Sequence, residues 1–168
     1  YQAKSQGRAR HIVFDKGMHV LAVTQLEIET DLRRAIEEDE FLLYYQPVMN
    51  AESEKLSGFE ALIRWRHPRR GIVPPGDFIA IAEETRLIIP IGRWVIREAC
   101  KQARIWQRAF PKLELNISVN IAPQQFTDPN LIDDIRDVLE KTKLPGQRLK
   151  VEITESAIME NPHEVASR

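Results

Sequence analysis

Gly58-Phe59-Glu60-Ala61-Leu62-Ile63-Arg64-Trp65 is the stretch on which the reading of the fold turns. Successive side chains of an extended chain point to opposite sides, so Phe59, Ala61, Ile63 and Trp65 share one face while Glu60, Leu62 and Arg64 share the other. The pattern recurs twice. Leu113 to Ile121 sets Leu113, Leu115, Ile117, Val119 and Ile121 against Glu114, Asn116, Ser118 and Asn120, and Leu149 to Thr154 sets Leu149, Val151 and Ile153 against Lys150, Glu152 and Thr154. Glu60, Asn120 and Glu152 thus each lie opposite an apolar face. A barrel enzyme presents metal ligands in this way, and an ordinary half-exposed sheet shows the same alternation because its wet face is also polar. The alternation alone leaves both readings open.

Met18 to Glu40 reads as one long helix with Leu21, Leu26, Ile28, Leu32 and Ile36 at its apolar positions, ending in the acidic run Glu37-Glu38-Asp39-Glu40, expected to be a solvated terminus. Phe41 to Val48 is the first strand, and the next begins near Leu56. Met49 to Lys55 is too short for a crossover helix, so these strands should pair as an antiparallel hairpin. Pro74-Pro75-Gly76-Asp77 supplies a stiff turn and an N-cap for a short helix over Phe78 to Glu84, and Leu87 to Pro90 reads as an extended or irregular link. Ile91 to Phe110 is an amphipathic helix with Trp94, Val95, Ala99, Ala103 and Trp106 at helical spacing, its tryptophans assigned to the core. Asp128 to Lys141 is another helix, closed by Leu144-Pro145-Gly146. Arg148 starts the strand of Glu152, and Asn161-Pro162-His163 starts a further helix. The order β-β-α-β-α-β-α is that of an α/β barrel cut near its middle.

Several motifs in fixed order carry a family resemblance: Tyr45-Gln46-Pro47, then Glu60-Ala61-Leu62-Ile63-Arg64-Trp65 with His67-Pro68, then Ser118-Val119-Asn120, then Glu152-Ile153-Thr154-Glu155-Ser156. Gly71-Ile72-Val73-Pro74-Pro75-Gly76-Asp77-Phe78-Ile79 and Ala82-Glu83-Glu84 fit the same order. Together, from roughly Leu26 onward, they resemble the front half of an EAL domain, a family of cyclic-di-GMP phosphodiesterases of bacterial signalling. The resemblance implies a TIM-like (β/α) barrel with an antiparallel first strand. It also implies that Glu60, Asn120 and Glu152 are metal ligands, with Glu60 and Glu152 catalytic. Gln46, Leu62 and Arg64 would touch the dinucleotide, Arg64 at its phosphate, and Glu83 matches a further acidic position.

Phosphodiester cleavage suits such a set. The ester oxygens carry negative charge that repels a nucleophile, and a pair of divalent cations about 3.5 to 4 Å apart neutralises it while activating water. Carboxylate and amide oxygens are hard donors suited to Mg²⁺ or Mn²⁺. Arg64 shares a face with Glu60, and its planar fork can hold a phosphate through parallel hydrogen bonds or form a salt bridge to a carboxylate. His67 has no second histidine at ligand spacing and is assigned a structural role.

A complete barrel of this kind needs about 250 residues, and this chain has 168. Residues 41–168 are therefore read as the N-terminal half of the domain and 16–40 as a linker helix. Residues 1–15, including Lys4, Arg8 and Ile12-Val13-Phe14-Asp15, resemble the end of a GGDEF domain, the family that makes cyclic-di-GMP. The back-half Asp-Asp-Phe-Gly segment and catalytic Lys of the EAL family have no counterpart here, so the chain alone is expected to be inactive while the intact domain hydrolyses the nucleotide. The alternative is a degenerate domain that binds cyclic-di-GMP as a receptor. An upstream GGDEF partner and an EAL homodimer are the associations the resemblance permits.

Composition argues for a globular, intracellular protein that binds neither DNA nor RNA: 29% of residues are charged, 43% hydrophobic, and the formal net charge is −1. A cytoplasmic location is expected, with an upstream membrane anchor left open. The single Cys100, within the Ile91 to Phe110 helix, is read as a packed thiol.

Overall fold

The computed structural model describes residues 16–153. In chain order the elements are α1 (Lys16–Glu37), β1 (Phe41–Met49), β2 (Leu56–His67), β3 (Gly71–Val73), α2 (Ile79–Glu84), α3 (Ile88–Ala109), β4 (Asn116–Ile121), α4 (Pro123–Phe126), α5 (Leu131–Thr142) and β5 (Leu149–Ile153), with short 3-10 turns at Pro75–Asp77 and Gly146–Arg148. The strands form one five-stranded sheet in the order β1-β2-β4-β5, with β3 attached to β2. Among the described residues the sheet does not close on itself.

β1 and β2 pair antiparallel from Phe41↔Trp65 to Met49↔Leu56, as the short connection requires. Asn50 makes the turn compact: its Oδ1 accepts from the backbone N–H of Glu52 and Ser53 and from the Ser53 hydroxyl, at 2.8 to 3.0 Å. β2 then runs parallel to β4, and β4 parallel to β5, so the chain crosses over through helices between them. Gly58 is required where β2 meets β4, because a Cβ there would collide with the Asn116 carbonyl oxygen.

Helices cover the apolar side of the sheet. Along α3, Ile88, Ile91, Val95, Ile96, Ala99, Cys100 and Ala103 are buried, and they pack in one core with Ala61, Trp65, Ile117, Val119 and Ile121. Burying each large aliphatic side chain contributes about 1.5 to 3 kcal/mol. Trp94 meets Phe41 at 5.8 Å between ring centroids, and Trp106 meets Tyr45 at 4.8 Å and Phe59 at 4.4 Å, so both tryptophans, partly buried, pack against the core. The buried Cys100 thiol is pushed up to about 12 by burial, which fits a packed rather than a reactive group.

The structure corrects several expectations. The link over Leu87 to Pro90 is instead the start of α3: Pro90 lies in the first turn, where its missing N–H has no intrahelical partner to lose. Asp77 is not an N-cap. It ends the 3-10 turn, and α2 is preceded by Phe78 with no side-chain cap. The strand of Asn120 begins at Asn116 rather than Leu113, since Leu113 donates its N–H back to the Phe110 carbonyl at 3.0 Å in a turn. α1 ends at Glu37, and Glu40 is buried rather than solvated. β3 and α4 had no sequence expectation; Gly71, at φ +71, opens β3 in a conformation that favours glycine. The expected GGDEF remnant over 1–15, Thr154, Glu155, Ser156 and the helix start at Asn161-Pro162-His163 lie outside the described residues.

Candidate functional site

Residues directly opposite each other in a ladder share a face, and the registers Gln46↔Glu60, Tyr44↔Leu62, Glu60↔Ser118, Ser118↔Lys150 and Asn120↔Glu152 therefore define the side of the sheet away from α3. Gln46, Glu60, Leu62, Arg64, Asn120 and Glu152 all stand on it. The structure brings Glu60 and Asn120 into contact: Asn120 Nδ2 donates to Glu60 Oε1 at 2.7 Å. Glu152 sits on β5 beside Asn120, and Gln46 on β1 beside Glu60. Glu60 and Arg64 are half-buried, whereas Gln46, Asn120 and Glu152 are exposed. Two carboxylates and an amide thus offer oxygen donors on one surface. No group of three or more His, Cys, Asp or Glu able to hold a metal occurs among the described residues.

Arg64 forms no ion pair with a carboxylate among the described residues. Its Nη1 donates to the Ile63 carbonyl at 2.8 Å, and its guanidinium carbon lies 5.3 Å from the centroid of the Tyr44 ring. Sequence reasoning passed over Tyr44, although its position two residues before Gln46 places it on the same face.

A cavity of about 200 Å³ is lined mainly by apolar residues of the α3 side, Ala61, Ile63, Ile91, Val95 and Ile121 among them, together with Leu62, Glu83, Asn120 and Gln125. Gln125 is buried, and its Oε1 accepts from the Ala122 N–H at 3.2 Å, which fixes the loop immediately after Asn120. Gly92 on α3 makes room for it, because a Cβ there would overlap the Gln125 side-chain amide.

Beyond Arg64, β2 ends in a buried polar cluster that ties it to α1. His67, with its side chain fully buried, contacts Asp31 Oδ2 through Nε2 at 2.9 Å, and its Nδ1 accepts from the Arg69 and Arg70 N–H groups at 3.1 and 3.2 Å. With Nδ1 accepting, Nε2 carries the proton and donates to Asp31. Arg34 donates to both Asp31 and Glu40, and Trp65 Nε1 donates to Glu40 Oε2 at 2.9 Å. Burial opposes ionisation of Asp31 and Glu40, but the hydrogen bonds from His67 and Arg34 to the first, and from Trp65 and Arg34 to the second, outweigh it and hold both carboxyls below their ordinary range. His67 is structural, as its sequence setting suggests. Asp31 and Glu40 carry no local sequence signal for this role.

The same fold occurs in known proteins. Residues 29–168 match the EAL domain family. The chain is 44% identical over 161 residues to the signalling protein YkoW of Bacillus subtilis, covering 96% of this chain and 20% of that protein. It is 41% identical over 159 residues to the bifunctional diguanylate cyclase/cyclic di-GMP phosphodiesterase MucR of Pseudomonas aeruginosa, covering 95% of this chain and 23% of MucR. A solved structure of the MucR phosphodiesterase in complex with c-di-GMP superposes with a TM-score of 0.76 at 40% identity, over 81% of this chain and 55% of that one. The chain belongs to the EAL domain family, and its fold is the α/β, TIM-like barrel fold of that family. It spans about a quarter or less of the length of these curated relatives. No helix among the described residues is long and apolar enough to cross a membrane.

Proposed function

We propose that this chain is the front part of an EAL domain that hydrolyses cyclic-di-GMP to the linear dinucleotide. The observation that carries the reading is the gathering of Glu60, Asn120, Glu152 and Arg64 on one face, with Glu60 and Asn120 in direct contact. The donor set fits hard divalent cations such as Mg²⁺ or Mn²⁺: both acids offer carboxylate oxygens, and Asn120, whose Nδ2 is engaged by Glu60, keeps its amide oxygen for a cation. Bound divalent cations would neutralise phosphodiester charge and lower the pKa of the attacking water.

The protein's own groups do the rest. Arg64 has guanidinium N–H groups without a partner among the described residues and would give them to a phosphate, a contact stronger than a neutral hydrogen bond. Gln46 offers an amide beside Glu60, and Leu62 an apolar surface for a base. A receptor that only binds the nucleotide has no need of three oxygen donors beside the arginine, which favours the enzyme over that alternative. Residues 1–15 are read as the end of an upstream GGDEF domain. Among the described residues the five-stranded sheet is open, which supports the further reading that these 168 residues alone are inactive.

The test is incubation of the full-length polypeptide with cyclic-di-GMP and Mg²⁺ or Mn²⁺, followed by chromatography of the nucleotides. Linear dinucleotide that disappears with EDTA supports the reading. Unchanged cyclic-di-GMP under every cation overturns it.

A further inference from the structure

Adjacent tyrosines on β1 point to opposite sides of the sheet. Tyr45 is packed edge-on against Trp106 under α3, where burial first and Glu98 second push its phenol up to about 12. Tyr44 faces the other way and is 49% exposed on the polar face. Leu42, Val48 and Leu62 share that face with Gln46, Glu60 and Arg64, and the half-exposed ring has a charged neighbour there. Tyr44 stands opposite Leu62, and Leu42 opposite Arg64, so Tyr44 and Arg64 are diagonal neighbours across the hairpin, within reach of long side chains. The guanidinium carbon of Arg64 lies 5.3 Å from the ring centroid, inside the range for attraction between a cation and an aromatic face.

Two restraints therefore act on Arg64. Nη1 is tied to the Ile63 carbonyl at 2.8 Å, and the guanidinium rests against the Tyr44 ring. The remaining N–H groups have no hydrogen-bond partner among the described residues. A long arginine with neither restraint would sample many rotamers and lose that freedom on gripping a phosphate; a backed guanidinium has already lost part of it.

We propose that Tyr44 is a positioning residue for Arg64: its ring backs the guanidinium so that the free N–H groups stand ready for a phosphate of the dinucleotide. This rests on the reading of Arg64 as a phosphate contact. The ring face is what matters, because the Tyr44 hydroxyl has no hydrogen-bond partner among the described residues.

The test uses the full-length polypeptide and Tyr44→Phe, Tyr44→Leu, Arg64→Ala and the Tyr44→Leu/Arg64→Ala pair, each checked for unchanged thermal unfolding. Tyr44→Leu should raise KM for cyclic-di-GMP about three- to tenfold, the range a partly exposed cation–aromatic contact supplies, with kcat within about twofold. Tyr44→Phe should restore the parental KM, and in the Arg64→Ala background Tyr44→Leu should add nothing. The Arg64 Nε–H NMR resonance is a second readout that needs no nucleotide: its ring-current shift should persist in Tyr44→Phe and vanish in Tyr44→Leu. A parental KM and an unmoved resonance in Tyr44→Leu overturn the proposal, and so does a loss that adds to Arg64→Ala, which would mean that the ring touches the nucleotide itself. A parent that neither binds nor cleaves cyclic-di-GMP sinks the phosphodiesterase reading, while the resonance still decides the role of Tyr44.

Discussion

The Asn120 amide donates to Glu60 Oε1 at 2.7 Å across a sequence separation of 60 residues. β2 and β4 are neighbours in parallel register, with Glu60 opposite Ser118 and Asn120 two residues further on. The bond therefore spans a diagonal of the sheet, and it holds two oxygen-bearing side chains on the open face. Replacing either should disable the site while leaving the sheet intact, because neither side chain is part of the core. Removing a group that merely orients a metal ligand costs about 10- to 100-fold in activity, so Glu60→Gln should lower kcat by at least about 100-fold in the full-length protein, and Asn120→Ala by a comparable factor. Steady-state kinetics with thermal unfolding as a control checks both.

Acid should loosen the seam between α1 and β2. Asp31 and Glu40 are held below their ordinary values of 3.8 and 4.5 by their hydrogen-bonding partners. A carboxyl whose folded pKa is depressed contributes stability that is fully present above its unfolded value and is lost as pH falls through the folded one. The urea midpoint should thus be flat as regards these groups down to about pH 5 and should fall below about pH 4.5. Glu40→Gln should flatten that fall. A midpoint whose acid dependence is the same in parent and variant would contradict the assignment.

Asp31→Ala leaves the buried His67 Nε2–H without its acceptor and removes a partner of Arg34. Orphaning a buried donor costs about 1 to 3 kcal/mol, and the urea unfolding free energy at pH 7 should fall by about that much. The same variant should retain the β1–β2 hairpin, whose pairing does not depend on α1.

Gly92→Ala should destabilise the domain even though alanine is the better helix former by about 1 kcal/mol. The added methyl would overlap the Gln125 amide, and moving Gln125 breaks its bond to the Ala122 N–H in the loop after Asn120. Overpacking of this kind costs about 1 to 3 kcal/mol. Chemical denaturation gives the sign, and a loss of cyclic-di-GMP affinity larger than the stability change explains would show that the loop positions Asn120.

Cys100 should resist modification. Its thiol is buried and pushed up to about 12, so thiolate is scarce at pH 8. A disulfide reagent should react with it slowly in the folded domain and promptly in guanidinium chloride. Prompt reaction in both would place the thiol in a more open setting.

β2, β4 and β5 and the face they share were legible because both rest on period-two alternation. Glu60, Asn120 and Glu152 follow it, and the hairpin followed from a connection too short for a helix. The α1–β2 cluster was not legible. His67 and Asp31 are 36 residues apart and Trp65 and Glu40 are 25 apart, and no local periodicity encodes which buried donor meets which carboxylate. The acidic run at the end of α1 looked uniformly solvated, yet Glu40 is taken into the core by Trp65 and Arg34. Pro90 misled for a different reason: proline breaks a helix interior but fits a first turn, and only the position of Ile88 at the helix start tells the two apart. Tyr44 was visible by parity, but its contact with Arg64 depends on how far two side chains reach across a diagonal.

On the proposed reading the domain cuts cyclic-di-GMP rather than merely holding it. Binding and turnover should be measured on one sample of the full-length protein with Mg²⁺, beside Glu152→Gln. Linear dinucleotide accumulating with the parent, and not with Glu152→Gln, is the predicted result. Cyclic-di-GMP that binds the parent and is recovered uncleaved, with either protein, would contradict the account and make the domain a receptor.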